Sequence, residues 1–264
     1  MHAIALAPEV GRGYISVGDG NAVQVFDLKT RAPLLTIPVG EGPDLILYDA
    51  GSRRVFTFNE GSRNVTAIDV NSNTVVGSLD AGGKPEFAAA DGHGIIYVNV
   101  EDRSEILAFD ARTLKVLNHW PLSPCTAPTG LAIDAVHRRL FATCHNRQMV
   151  VVNADNGTIV QALPIGERVD GAAFDPGTGM AFSSNGDGTL TIVHQDTPDQ
   201  YRVVQTLETQ GGARTLALDT TTHRLYLPTA SFAAAPPPVP GKPYVRPTIL
   251  PDTFVVLVVD RVAN

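Results

Sequence analysis

Short apolar runs alternate along the whole chain with clusters of Gly, Asp, Asn, Ser and Arg. No stretch holds the 3.6-residue period of an amphipathic helix. The runs LILYD, RVFTFN, NVTAID and TVVGSL are parted by DAGSR, EGSR and DVNSN. Each run fits a β-strand, and each polar cluster offers the residues that tight turns favour.

These runs repeat. Aromatic residues fall in one column, Tyr14, Phe56, Tyr97, Phe141, Phe182 and Tyr226, with steps of 42, 41, 44, 41 and 44 residues. A second column, His2, Asp44, Glu86, Thr129, Asp170 and Arg214, lies 12 residues upstream, or 11 for Glu86. A third closes an apolar run with a polar residue: Asp27, Asp69, Asp110, Asn153, His194 and Asp260. Three columns in one phase define six units: 1–42, 43–83, 84–126, 127–168, 169–212 and 213–264. Four strand signals in a unit of 40 to 45 residues predict an all-β fold, a single β-propeller domain built of four-stranded antiparallel blades.

Units such as GPDLILYDAGSRRVFTFNEGSRNVTAIDVNSNTVVGSLDAGG resemble the YVTN-type repeat of the YncE-like β-propeller family. GKPEFAAADGHGIIYVNVED, PTGLAIDAVHRRLFATCHN and SSNGDGTLTIV resemble an exported bacterial branch of it. The resemblance spans essentially the whole chain. It implies a propeller of seven blades in a periplasmic or secreted protein, and it names no reaction. Six first, second and third strands are legible here, but only five fourth strands. The count favours a chain truncated at its N-terminus, short of an export signal, one fourth strand and one blade. The other reading is a six-bladed ring whose last blade has three strands.

Composition narrows the function. The formal net charge is −7 and charged residues make up 18%. No basic run could track a phosphate backbone, so no nucleic-acid partner is expected. No apolar run approaches the roughly 18 residues that a membrane span needs. The start MHAIALAPEVGRGYISV has no basic segment followed by an apolar core. The expected state is a monomer.

The candidate chemistry lies where strands one and two of each blade meet. The head of a first strand sits beside the tail of the antiparallel second strand, so both reach the mouth of the central channel. Heads supply His2, Asp44, Glu86, Thr129, Asp170 and Arg214; tails supply Asp19, Glu60, Glu101, Asp102, His145, Asn146, Asn185 and Asp187. Equivalent positions carry different residues, which predicts a polar site for an asymmetric ligand, a small molecule or a protein. Wet channel mouths also tolerate any polar residue, so a site is one of two readings. Carboxylates with imidazole could hold a divalent metal, paired carboxylates could act as acid and base, and Arg214 could anchor an anionic group. No HExxH, GxSxG or phosphate loop accompanies them, and no CxxCH motif for haem. His137, His194 and His223 read as structural.

Cys125 precedes the head residue Thr129, and Cys144 follows Phe141 at the tail of the paired strand. That pairing brings the sulfurs near each other, as a disulfide requires, and a disulfide implies an oxidising compartment. Two free thiols, or a soft-metal site with His145, are the alternatives. A Pro-rich insertion, 231–252, separates the last two strands and carries Tyr244 and Arg246 toward the mouth. It reads as a lid or as a surface excursion. Three functions compete: an exported binding or scaffold propeller, a metal-assisted hydrolase or lactonase, and, least supported, a redox partner domain.

Overall fold

The computed structural model describes residues 2–234 and 247–261. Among these residues, twenty-three strands form six antiparallel sheets. The first blade is β1 (Ile4–Ala7), β2 (Arg12–Val17), β3 (Ala22–Asp27) and β4 (Pro33–Pro38). The second is β5 (Pro43–Asp49), β6 (Arg54–Asn59), β7 (Asn64–Asp69) and β8 (Thr74–Asp80). The third is β9 (Pro85–Ala90), β10 (Ile95–Val100), β11 (Glu105–Asp110) and β12 (Val116–Pro121). The fourth is β13 (Pro128–Asp134), β14 (Arg139–Cys144), β15 (Gln148–Asn153) and β16 (Ile159–Pro164). The fifth is β17 (Val169–Asp175), β18 (Met180–Asn185), β19 (Thr189–Thr197) and β20 (Gln200–Glu208). The sixth has three strands among the described residues: β21 (Ala217–Asp219), β22 (Arg224–Thr229) and β23 (Val255–Val259). Every strand pairs with its neighbour in sequence, and the described residues contain no α-helix. The arrangement is a β-propeller of six blades.

The repeat columns map onto distinct physical jobs. The aromatic column lies in the second strands, where Tyr14, Phe56, Tyr97 and Phe141 are fully buried. The third-strand acids make turns. Asp27 Oδ1 accepts hydrogen bonds from the backbone of Lys29 and Thr30, and Asp69 and Asp110 repeat the pattern. Those bonds favour the ionised carboxylate and hold all three below the usual range. The turn between second and third strands ends in left-handed backbone at Asn21, Arg63, Ser104, Arg147 and Gly188. Only glycine takes that conformation without a Cβ penalty.

Apolar packing joins each blade to the next. Ile46 and Val55 pack on Val23 and Val25 between blades one and two, and four further clusters join blades two through six in order. The pattern stops at the two end blades. Ile4 and Leu6 of blade one are exposed, as are Val256 and Val258 of blade six, although their counterparts Ile46, Val23 and Val25 are buried.

Cys125 and Cys144 form the disulfide, with Cα atoms 5.6 Å apart. Both are buried, which is compatible with an extracellular location. His137, His194 and His223 each place Nδ1 within 2.8 Å of an aspartate: Asp134, Asp196 and Asp175 respectively. Of the Pro-rich insertion, Phe232 and Ile249 make an isolated bridge, and Tyr244 and Arg246 lie outside the described residues.

Candidate functional site

First strands head at the channel mouth, and polar side chains fix their height there. Ser16 Oγ donates to the carbonyl of Asp44 at 2.6 Å, Asn99 Nδ2 to that of Thr129 at 2.9 Å, and Ser184 Oγ to that of Arg214 at 2.6 Å. Each bond runs from the second strand of one blade to the first strand of the next, or, at Arg214, to the segment just ahead of it. The heads therefore form a rigid arc rather than a set of independent loops.

They surround a pocket of about 360 Å³ lined by His2, Asp44, Glu86, Thr129, Asp170 and Arg214 from the heads, and by Glu60, Glu101 and His145 from the tails. Phe87, Leu45 and Ala3 supply apolar wall. Residues 212 positions apart, His2 and Arg214, thus line one cavity.

Lys84 organises the pocket, and the columns did not reveal it. Its ammonium meets Glu60 Oε1 at 3.0 Å, Glu86 Oε1 at 2.9 Å and Glu101 Oε2 at 2.5 Å. The β9–β10 pairing sets this up. The Lys84 carbonyl accepts the Glu101 N–H, and the Lys84 N–H donates to Asp102 Oδ1. Gly83 must be glycine here, because a Cβ would overlap Asp102 and Val100. Burial alone would lower the Lys84 pKa, but the bonds to Glu101, Glu86 and Glu60 outweigh it and hold it well above the usual lysine value.

Glu86 is the most buried acid of the pocket, with a side chain 8% exposed. Burial drives its pKa up, the Lys84 ammonium opposes this, and the charges of Glu101 and Asp44 add to the rise, to about 7. The remaining pairs sit around it. His2 Nδ1 is 2.8 Å from Asp44 Oδ1, Arg214 Nε is 3.1 Å from Asp170 Oδ2, and His145 Nδ1 is 3.8 Å from Glu101 Oε1. Thr129 Oγ1 donates to the Val169 carbonyl. The lining thus holds five carboxylates against two fixed cations, Lys84 and Arg214.

Five residues expected at the mouth, Asp19, Asp102, Asn146, Asn185 and Asp187, lie outside this pocket. Asn185 is fully buried and turns into its own blade, where Nδ2 donates to Thr189 Oγ1 and Thr191 Oγ1. Asp102 stands outside the pocket, on the rim with Arg63. Asn146 and Asp187 likewise hold local backbone, accepting from the N–H of Thr126 and Glu167.

Asp44, Glu60 and Glu86 each offer an oxygen within 4.8 Å of the others, the spacing of a cation site. Two of the three already bind the Lys84 ammonium, and Asp44 pairs with His2. A divalent ion there would have to displace Lys84.

No family model and no curated protein matches the chain. Solved structures do. A chain of the Kuenenia stuttgartiensis hydrazine synthase matches with TM-score 0.73 at 16% identity, over 85% of this chain and 72% of that one. A chain of the mitotic checkpoint complex gives 0.72 at 16%, over 82% and 69%. The WD40 repeats of RRP9 give 0.74 at 9%, over 85% and 71%. At these identities the likeness establishes the β-propeller fold, with WD40-like neighbours, and nothing of the chemistry.

Proposed function

We propose that this protein is an exported binding or scaffold propeller of the YncE-like, YVTN-repeat type, whose channel mouth takes a polar, asymmetric ligand bearing an amine. The observation that carries this reading is the Lys84 ammonium seated on Glu60, Glu86 and Glu101. That contact supports an amine-binding mouth, as does the excess of five lining carboxylates over the two fixed cations Lys84 and Arg214. Arg214 stands on the far side beside Asp170 and suits an anionic group of the same ligand. The buried disulfide supports a periplasmic or secreted location.

Thermal unfolding at pH 7 across a panel of small amines, zwitterions and dicarboxylates tests the reading. Amines and zwitterions should raise Tm, because a ligand that binds only the folded state stabilises it. A panel in which only dicarboxylates act, or nothing does, would refute it.

A second reading, a metal-assisted hydrolase or lactonase, draws on the oxygens of Asp44, Glu60 and Glu86. It ranks lower because a divalent ion on these oxygens would meet the Lys84 cation at twice the charge of an ammonium, and an ammonium can share the carboxylates with Lys84. Stoichiometric metal in protein purified without chelator, lost in Glu86→Gln, would reverse that ranking.

A further inference from the structure

Lys84 Nζ lies 3.0, 2.9 and 2.5 Å from single oxygens of Glu60, Glu86 and Glu101. Calcium meets its oxygen ligands at about 2.3–2.6 Å. Asp44 adds a fourth carboxylate, with an oxygen within 4.8 Å of those of Glu60 and Glu86. Two oxygens that share one calcium ion stand at most about 5 Å apart. Nζ therefore stands close to the point that a calcium ion would take among these residues. Magnesium fits less well, because it demands near-ideal octahedral geometry at about 2.0–2.1 Å.

The repeat does not require a cation at this point. Two residues before the head, four other blades have Gly42, Ala127, Arg168 and Gly212. Arg168 is the other cation of this column, and its Nη2 donates to the Gly186 carbonyl rather than to a carboxylate cluster. A need of the fold would recur from blade to blade, as the Asp27 turn does. Lys84 answers a need of the mouth alone. The acids that it holds converge from two blades: Glu60 after β6, Glu86 in β9 and Glu101 after β10.

Charge then decides what else can enter. Asp44, Glu60, Glu86 and Glu101 outnumber the one ammonium among them. A second, singly charged ammonium can share these carboxylates with Lys84. A divalent ion would face the Lys84 cation inside the same cluster, with twice the repulsion.

We propose that Lys84 determines which cations the mouth accepts: it fills the calcium position with the chain's own ammonium, bars divalent metal, and leaves the remaining carboxylate charge to an organic amine. The amine clause rests on the function proposed above; the exclusion of metal does not.

The test is a gain of metal binding. Lys84→Met removes the ammonium and keeps an apolar stem. Calcium chloride is titrated calorimetrically into the chelator-treated full chain. Wild type should give no saturable heat. Lys84→Met should bind one calcium ion, at least tenfold more tightly than it binds magnesium. Calcium should raise the Tm of Lys84→Met and leave that of wild type unchanged. Adding Glu60→Gln to Lys84→Met should weaken the gained affinity at least tenfold. Lys84→Gln gives the same comparison should the methionine variant not fold. A lysine with a merely structural role would leave both variants less stable and blind to calcium. The proposal fails if wild type binds calcium as tightly as the variants do, or if neither variant binds it. Calcium binding gained in the variants, with no binding of 1,4-diaminobutane to wild type, would uphold the role of Lys84 and refute the amine reading alone.

Discussion

Lys84 Nζ donates to Glu101 Oε2 at 2.5 Å, across the junction of β9 and β10. The same ammonium reaches Glu60 in the preceding blade and Glu86 in its own first strand. One cation therefore ties two blades at the channel mouth, and its loss leaves three carboxylates facing one another.

Lys84→Met should accordingly destabilise the protein by about 2 kcal/mol at pH 8. Breaking a buried pair costs about 3–5 kcal/mol, and partial exposure of Lys84 reduces this. Urea denaturation should record a lower midpoint with an unchanged slope. Adding Glu101→Gln to Lys84→Met should recover part of the loss.

Glu86 makes stability depend on pH. Its folded pKa, about 7, lies above the ordinary value of 4.5, so the folded state holds a proton that the unfolded chain releases. The stabilisation is complete below pH 4.5 and is lost as pH rises through 7. Its span is at most about 3 kcal/mol. Glu86→Gln removes the titration, so the mutant should gain on wild type as pH climbs from 4.5 to 8. Paired denaturation curves at pH 4.5, 6 and 8 measure the difference. A constant offset would mean that Glu86 does not titrate in this window.

Reducing the Cys125–Cys144 bond should lower stability by about 3 kcal/mol, since it opens a loop with a separation of 19 residues. Denaturation with and without reductant gives the value. Thiol titration of the denatured, unreduced protein should find no free thiol.

Val55 is fully buried between blades one and two. Val55→Asp should destabilise by about 4 kcal/mol, because it buries a charge without a partner. Glu86→Gln, at a head, should not approach that loss. Equal losses in the two variants would make Glu86 a structural residue.

The repeat was legible because blade packing constrains type and spacing together. The Tyr14 column must fill an interface, and the Asp27 column must make a turn, so both recur. The mouth was legible from pairing register, which placed Glu86, Glu101, His145, Asp170 and Arg214 around one cavity. Lys84 was not, because it lies two residues before the head column, where other blades have Gly42, Ala127, Arg168 and Gly212. A lysine at that position, ahead of a head glutamate, was the available signal. Asn185 misled because register gives the position of a strand tail and not which way its side chain turns. Three bonding partners in its own blade, Ser183, Thr189 and Thr191, hold it inward.

The central claim is that the mouth binds an amine through the carboxylates that hold Lys84. Calorimetric titration of 1,4-diaminobutane into wild type, Glu101→Gln and Arg214→Ala at low salt tests it most directly. The account predicts saturable binding to wild type, at least tenfold weaker binding to Glu101→Gln, and equal or tighter binding to Arg214→Ala. No binding to wild type, or the same affinity in Glu101→Gln, would contradict it.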